Sequence, residues 1–180
     1  MTVYVALLRG INVGGKHKLP MKALVRLMEQ NGFAGVKSYI QSGNIVFHSS
    51  NRPAAMLGKL IEQEFGFRPG VFLLTAAELE QAVSASPYAP TAGKHLHLFF
   101  CDRTPERIDT GYLDSLKAPT EEFSLVGKVF YLHAPEGIGR SKLAAKIDKA
   151  IPGVIMTARN LNTVTKLVEL AKLAEAESKQ

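Results

Sequence analysis

The sequence predicts an α+β fold made of two similar units in tandem, each ordered β-α-β-β-α-β, with a further helix at the C-terminal end. Three observations carry this. Short β-prone apolar runs alternate with stretches whose apolar residues recur at helical spacing. Each half holds one turn signal between two strands, Ser42-Gly43-Asn44 in the first and Gly127-Lys128 in the second. Two local echoes fall at equivalent places in this order. Pro69-Gly70-Val71 returns as Pro152-Gly153-Val154 after 83 residues, and Gly43-Asn44-Ile45-Val46-Phe47 resembles Gly127-Lys128-Val129-Phe130 after 84.

The elements follow in order. Val3 to Leu8 is apolar and rich in β-formers, which reads as a buried strand. A glycine-rich loop runs from Gly10 to Leu19, and Pro20 suits a first helical turn. Met21, Leu24, Val25 and Met28 then form one apolar helix face, stopped by Asn31-Gly32. Val36 to Ile40 and Ile45 to Phe47 read as a hairpin. Pro53 opens a helix with Leu57, Leu60, Ile61 and Phe65 on one stripe and Gly66 at its end. Val71 to Leu74 is the fourth strand. A short helix from Thr75 to about Ala85 leads to the second half. There, strands are expected at His95 to Phe100, Glu122 to Val126, Val129 to His133 and Val154 to Thr157, with helices from Thr104 to Leu116 and from Lys142 to Ile151. The last helix spans Leu161 to about Glu175. Each half matches the split-βαβ, ferredoxin-like arrangement, with antiparallel sheets. The expected division is residues 1–90 and 91–180.

This topology has a functional consequence. Right-handed crossovers make the first two strands of a unit parallel, with the third between them. The loop leaving strand one and the tip of the strand two–three hairpin then share one edge. In the first half this brings Gly10–Lys18 beside Gln41-Ser42-Gly43-Asn44.

Composition narrows the function classes. The chain has 180 residues, 46% of them hydrophobic, enough for a buried core. Its one cysteine, Cys101, excludes an internal disulfide and a cysteine-built zinc site, and fits a reducing compartment. No apolar run approaches the roughly 20 residues of a membrane span. Met1 to Leu8 lacks a basic leader pattern and reads as a strand. The net charge of +6 is uneven: residues 1–60 carry eight Lys or Arg and a single acid, Glu29, whereas 61–140 carry seven basic and eleven acidic residues. Such asymmetry points to an anionic partner for the first third, or to a solvated basic surface.

The loop Gly10-Ile11-Asn12-Val13-Gly14-Gly15-Lys16-His17 contains G-x-x-x-x-G-K, close to a phosphate-cradling loop. His17 stands where a Mg²⁺-binding hydroxyl belongs, and Lys18-Leu19-Pro20 delays the helix. This argues against a nucleoside-triphosphatase and leaves a looser anion nest, or simply glycine turns. Gln41, Ser42 and Asn44 add hydrogen-bonding side chains. Near the last helix, Asn160 reads as an N-cap, while Arg159 and Asn162 are less easily explained by capping. His95 and His97 alternate on a strand without a third ligand in place, so no metal site is expected. No Ser-His-Asp order or catalytic carboxylate pair is present. Sheet-based RNA recognition needs aromatics in a pattern that Gly43–His48 does not match, although Tyr4 and Phe47 are available.

Three segments carry a resemblance: Leu7-Leu8-Arg9-Gly10-Ile11-Asn12-Val13-Gly14-Gly15-Lys16, Tyr39-Ile40-Gln41-Ser42-Gly43-Asn44, and Arg159-Asn160-Leu161-Asn162-Thr163-Val164-Thr165-Lys166-Leu167. Together they resemble the family called domain of unknown function 1697, over essentially the whole chain. The chain departs from it at Leu161, where the family pattern usually has tryptophan, and at His17, where asparagine is common. The resemblance implies a bacterial cytoplasmic protein of two ferredoxin-like units and no established activity.

The residues expected to bind a ligand are Arg9, Gly10, Asn12, Gly14, Gly15, Lys16, Lys18, Gln41, Ser42, Asn44, Arg159, Asn160 and Asn162. The expected partner is a phosphate-bearing small molecule or a nucleic acid, with no cofactor and no membrane. The alternatives are an enzyme acting on a small anionic metabolite, using Lys16, His17 or Tyr39 for proton transfer, and a protein-interaction module.

Overall fold

The computed structural model describes residues 1–179, which form eight strands and six α-helices. The first unit contains β1 (Thr2–Arg9), α1 (Met21–Gln30), β2 (Ala34–Tyr39), β3 (Asn44–Ser49), α2 (Ala54–Phe65) and β4 (Gly70–Thr75). After α3 (Ala76–Ser84) come β5 (Leu96–Cys101), α4 (Thr110–Leu116), β6 (Glu122–Val126), β7 (Val129–His133), α5 (Lys142–Ala150), β8 (Met156–Asn160) and α6 (Leu161–Glu177). The sheets are ordered β2-β3-β1-β4 and β6-β7-β5-β8. Every pairing between neighbouring strands is antiparallel, so β1 and β2 run parallel with β3 between them. This is the α+β, doubly ferredoxin-like architecture that the sequence predicts.

By contacts, Met1–Glu80 and the chain from Lys166 onward form one compact unit, and Gln81–Thr165 the other. The late part of α6 is held to the first unit by specific bonds. His48 Nε2 lies 3.2 Å from the Ala174 carbonyl and 2.9 Å from Ser178 Oγ, and Lys37 pairs with Glu177 at 3.3 Å.

In the first unit, Tyr4, Ala6, Leu8, Ile45 and Phe47 pack on one sheet face with Leu24 and Met28 of α1 and Leu57 and Ile61 of α2. The opposite face carries Val3, Val5, Leu7 and Val46, which are buried too. In the second unit, Phe99, Phe130 and Leu132 pack with Leu113 of α4 and Leu143 and Ile147 of α5. Leu96, Leu98, Phe100 and Tyr131 on the other face are equally buried. The central strands β1, β3, β5 and β7 thus bury residues on both of their faces.

Of the boundaries that differ from the sequence reading, three have a clear local reason. Helix α4 starts at Thr110, not Thr104, because the Asp109 side chain accepts from Tyr112 N at 2.9 Å and caps the helix there. Strand β8 starts at Met156, not Val154, because Ile155 N is taken by Asp102 Oδ1 at 2.9 Å while Asp102 N donates to Ile155 O. His95 lies in a short 3₁₀ turn, Gly93–His95, so only His97 is on β5.

Candidate functional site

The loop after β1 is a small hairpin inside the connection to α1. Gly14 and Gly15 have φ of +59° and +70°, and Lys16 N donates to Val13 O at 3.1 Å. Positive φ at both central residues is what a two-residue hairpin turn needs, and glycine meets it without steric cost. No helix starts at Gly15-Lys16, since α1 begins at Met21. The segment is thus not the strand–loop–helix cradle of a nucleoside-triphosphatase.

The loop is tied to the β2–β3 tip, as the topology requires. Leu8 N donates to Gly43 O at 2.8 Å, and Asn12 Nδ2 donates to Gln41 O at 2.8 Å. Gly43 has φ +86°, and a Cβ there would meet Ile11 Cδ1 at 2.6 Å and Leu8 Cβ at 2.9 Å. The tip sits so close to the loop that only glycine fits.

This arrangement divides the predicted residues. Asn12 Nδ2 also donates to Leu19 O (3.0 Å), and Asn12 Oδ1 accepts from Leu19 N (2.8 Å). Both its N–H bonds are therefore committed inside the protein. Asn44 is buried, with Nδ2 donating to Tyr39 O (3.0 Å) and Ser42 Oγ (2.9 Å). Asn12 clamps the loop to the tip, and Asn44 braces the tip itself. Arg9, Lys16, Lys18, Gln41 and Ser42 are exposed on it.

His17 has a structural place here. Its φ is +49°, its Nδ1 lies 3.0 Å from Gly10 O, and its ring stacks on Phe67 at 4.6 Å and 14°. With Gly10 O as acceptor, Nδ1 carries the proton. Phe67 lies in the α2–β4 loop, and no sequence pattern links it to His17. The edge also exposes two apolar residues that the sequence reading passed over, Val13 (71% exposed) and Ile40 (49% exposed, φ +51°).

The remaining predicted residues lie in the second unit. Asn160 Oδ1 accepts from Thr163 N at 2.9 Å, which is the N-cap of α6. The Asn162 side chain fills the space a Cβ at Gly93 would take. Arg159 lies on β8, 8% exposed, and its Nη1 donates to Thr157 Oγ1 (3.0 Å) and Ala158 O (2.8 Å). Burial lowers its pKa to about 10, so it stays cationic at neutral pH.

Other groups in this unit are chemically quiet. Burial, then the neighbouring Asp102 charge, pushes the Cys101 thiol up to about 11, far from a reactive thiolate. An open surface pocket of about 430 Å³ is lined by Arg107, Asp109, Thr110, Lys149 and Pro152, but its Asp109 is already engaged as the α4 cap. Among the described residues, no three His, Cys, Asp or Glu side chains converge as metal ligands, and no helix is long and apolar enough to cross a membrane.

Fold and edge together define a protein of two ferredoxin-like units with a clamped, cationic loop edge on the first. The chain belongs to the family described as protein of unknown function, DUF1697, whose model matches residues 1–131. Among solved structures it is similar to a conserved bacterial protein from Streptococcus pneumoniae. The two are 25% identical, the match covers 94% of this chain and 98% of that one, and the TM-score is 0.67. No curated protein matches it.

Proposed function

We propose that the first unit binds the phosphate groups of a ligand, small molecule or nucleic acid, along the edge made by Arg9–Lys18 and Gln41–Ser42. The observation that carries this reading is the clamp. The Asn12–Gln41 and Leu8–Gly43 bonds hold the two loops in fixed register while Asn44 braces the tip from within, and the exposed groups presented there are the cations Arg9, Lys16 and Lys18 with the hydrogen-bonding Gln41 and Ser42. A preorganised set of donors loses little freedom on binding an anion, and charge-assisted bonds to phosphate oxygens are the strong kind. The open N–H groups of the Gly14-Gly15 turn add backbone donors. Binding is favoured over proton-transfer catalysis because the His17 ring is packed on Phe67 and its Nδ1 is held by Gly10 O.

The test is a thermal-shift screen with inorganic polyphosphate, nucleotides and short oligonucleotides. A ligand of the native state raises Tm by mass action. The paired variant Lys16→Ala, Lys18→Ala is expected to lose that shift with its unliganded Tm unchanged, since both side chains are exposed. An equal shift in wild type and variant would place binding elsewhere.

A further inference from the structure

We infer that the ligand of this edge is a single-stranded nucleic acid whose bases, not only its phosphates, are engaged. The inference rests on the phosphate-binding reading above and adds the apolar half of the surface. Val13 and Ile40 each lie one residue from the 2.8 Å Asn12–Gln41 bond, so the clamp holds both at the same part of the edge. Val13 is 71% exposed and stands beside Gly14, Gly15 and Lys16. Ile40 is 49% exposed and adopts φ +51°, a conformation that a β-branched side chain resists. Asparagine or glycine would suit that position better on both grounds, so folding alone gives isoleucine no advantage there.

Beside the β1–β4 pairing the edge carries an aromatic pair. The His17 and Phe67 rings are stacked, both are partly or fully open to solvent, and Arg9 pairs in register with Gly70, three residues beyond Phe67. The same loops therefore carry exposed apolar or aromatic groups, Val13, Ile40 and the His17–Phe67 pair, as well as the cations Arg9, Lys16 and Lys18. A free phosphate has no use for the apolar groups. A duplex hides its base faces in the stack. A single strand offers phosphates and unstacked bases in alternation, and aromatic or apolar side chains take up those faces with little sequence preference. Burial of the β1 and β3 side chains, Tyr4 and Phe47 among them, removes the central-strand platform on which a fold of this kind would stack bases.

The experiment is fluorescence anisotropy on the full chain with labelled strands of about 12 nucleotides, a length within the range such sites cover. The arms are single-stranded RNA, single-stranded DNA, the matching duplex, an abasic strand of the same charge, and an acidic peptide. One base-bearing single strand is expected to bind about tenfold or more tighter than the abasic strand and the duplex. Ile40→Asn with Val13→Ser is expected to bring its affinity down to the abasic value, while Ile40→Asn alone leaves Tm equal or higher. That combination separates binding from folding. Equal affinity for abasic and base-bearing strands overturns the inference and leaves phosphate binding intact. Tighter binding of the acidic peptide than of any strand overturns both readings. Failure of every phosphate-bearing arm overturns both readings.

Discussion

Replacing Asn12 by alanine should loosen the edge by an amount the structure lets one work out. The side chain makes three bonds: to Leu19 O at 3.0 Å, to Gln41 O at 2.8 Å, and from Leu19 N at 2.8 Å. The two at Leu19 are partly buried and should contribute about 1 kcal/mol each, the solvent-exposed one at Gln41 about half that. Asn12 also has φ +54°, where alanine is disfavoured by roughly 1 kcal/mol. Asn12→Ala should therefore cost about 3.5 kcal/mol, and Asn12→Gly about 2.5, because glycine loses the bonds but tolerates the backbone. Urea unfolding gives the totals. Amide exchange at Leu19, a fully buried residue, gives the local part. Loss of about 2 kcal/mol there corresponds to roughly thirtyfold faster exchange. A change below about 0.5 kcal/mol with Leu19 still protected would refute the clamp. Equal cost for alanine and glycine would refute the backbone part alone.

Other outcomes follow from the same geometry. Gly43→Ala should destabilise by about 2–4 kcal/mol, since it adds a backbone penalty to a clash with Leu8 and Ile11, whereas Gly15→Ala meets nothing within 4 Å and should cost only about 1 kcal/mol in the same urea assay. His97 Nδ1 is buried without a partner among the described residues, and burial, then the His95 charge, lowers its pKa below the usual 6.5. The folded state thus binds fewer protons there than the unfolded state. Its contribution is intact above pH 6.5 and is lost as pH falls from 6.5 toward the lowered folded value. The urea midpoint should drop across that window in wild type, and drop less in His97→Leu; parallel curves would contradict this. His48→Ala should speed amide exchange at the end of α6, where His48 Nε2 meets Ala174 O and Ser178 Oγ, without changing exchange in α1.

Much of the architecture was legible in the sequence because its signals are local. The run from Val3 to Leu8, the face of Met21, Leu24 and Met28, and the Gly66 cap with φ +78° all depend on neighbours in the chain. The meeting of the two loops was legible from strand order alone. What was not legible depends on long-range partners. Asn12 and Asn44 look like ligand residues in one dimension, and nothing there reveals their internal bonds to Leu19, Gln41 and Tyr39. No rule places isoleucine in a left-handed conformation at position 40, or brings Phe67 under His17. The displaced starts of α4 and β8 come from Asp109 and Asp102 competing for backbone N–H groups, which side-chain periodicity does not reveal.

The most direct test of phosphate binding at this edge is an amide NMR titration of the full chain with inorganic polyphosphate. The account predicts that shifts concentrate at Gly10, Gly14, Gly15, Lys16, Lys18 and Ser42, and that Lys16→Ala with Lys18→Ala abolishes them. Shifts centred instead on Arg107 and Lys149, or unchanged by that variant, would contradict it.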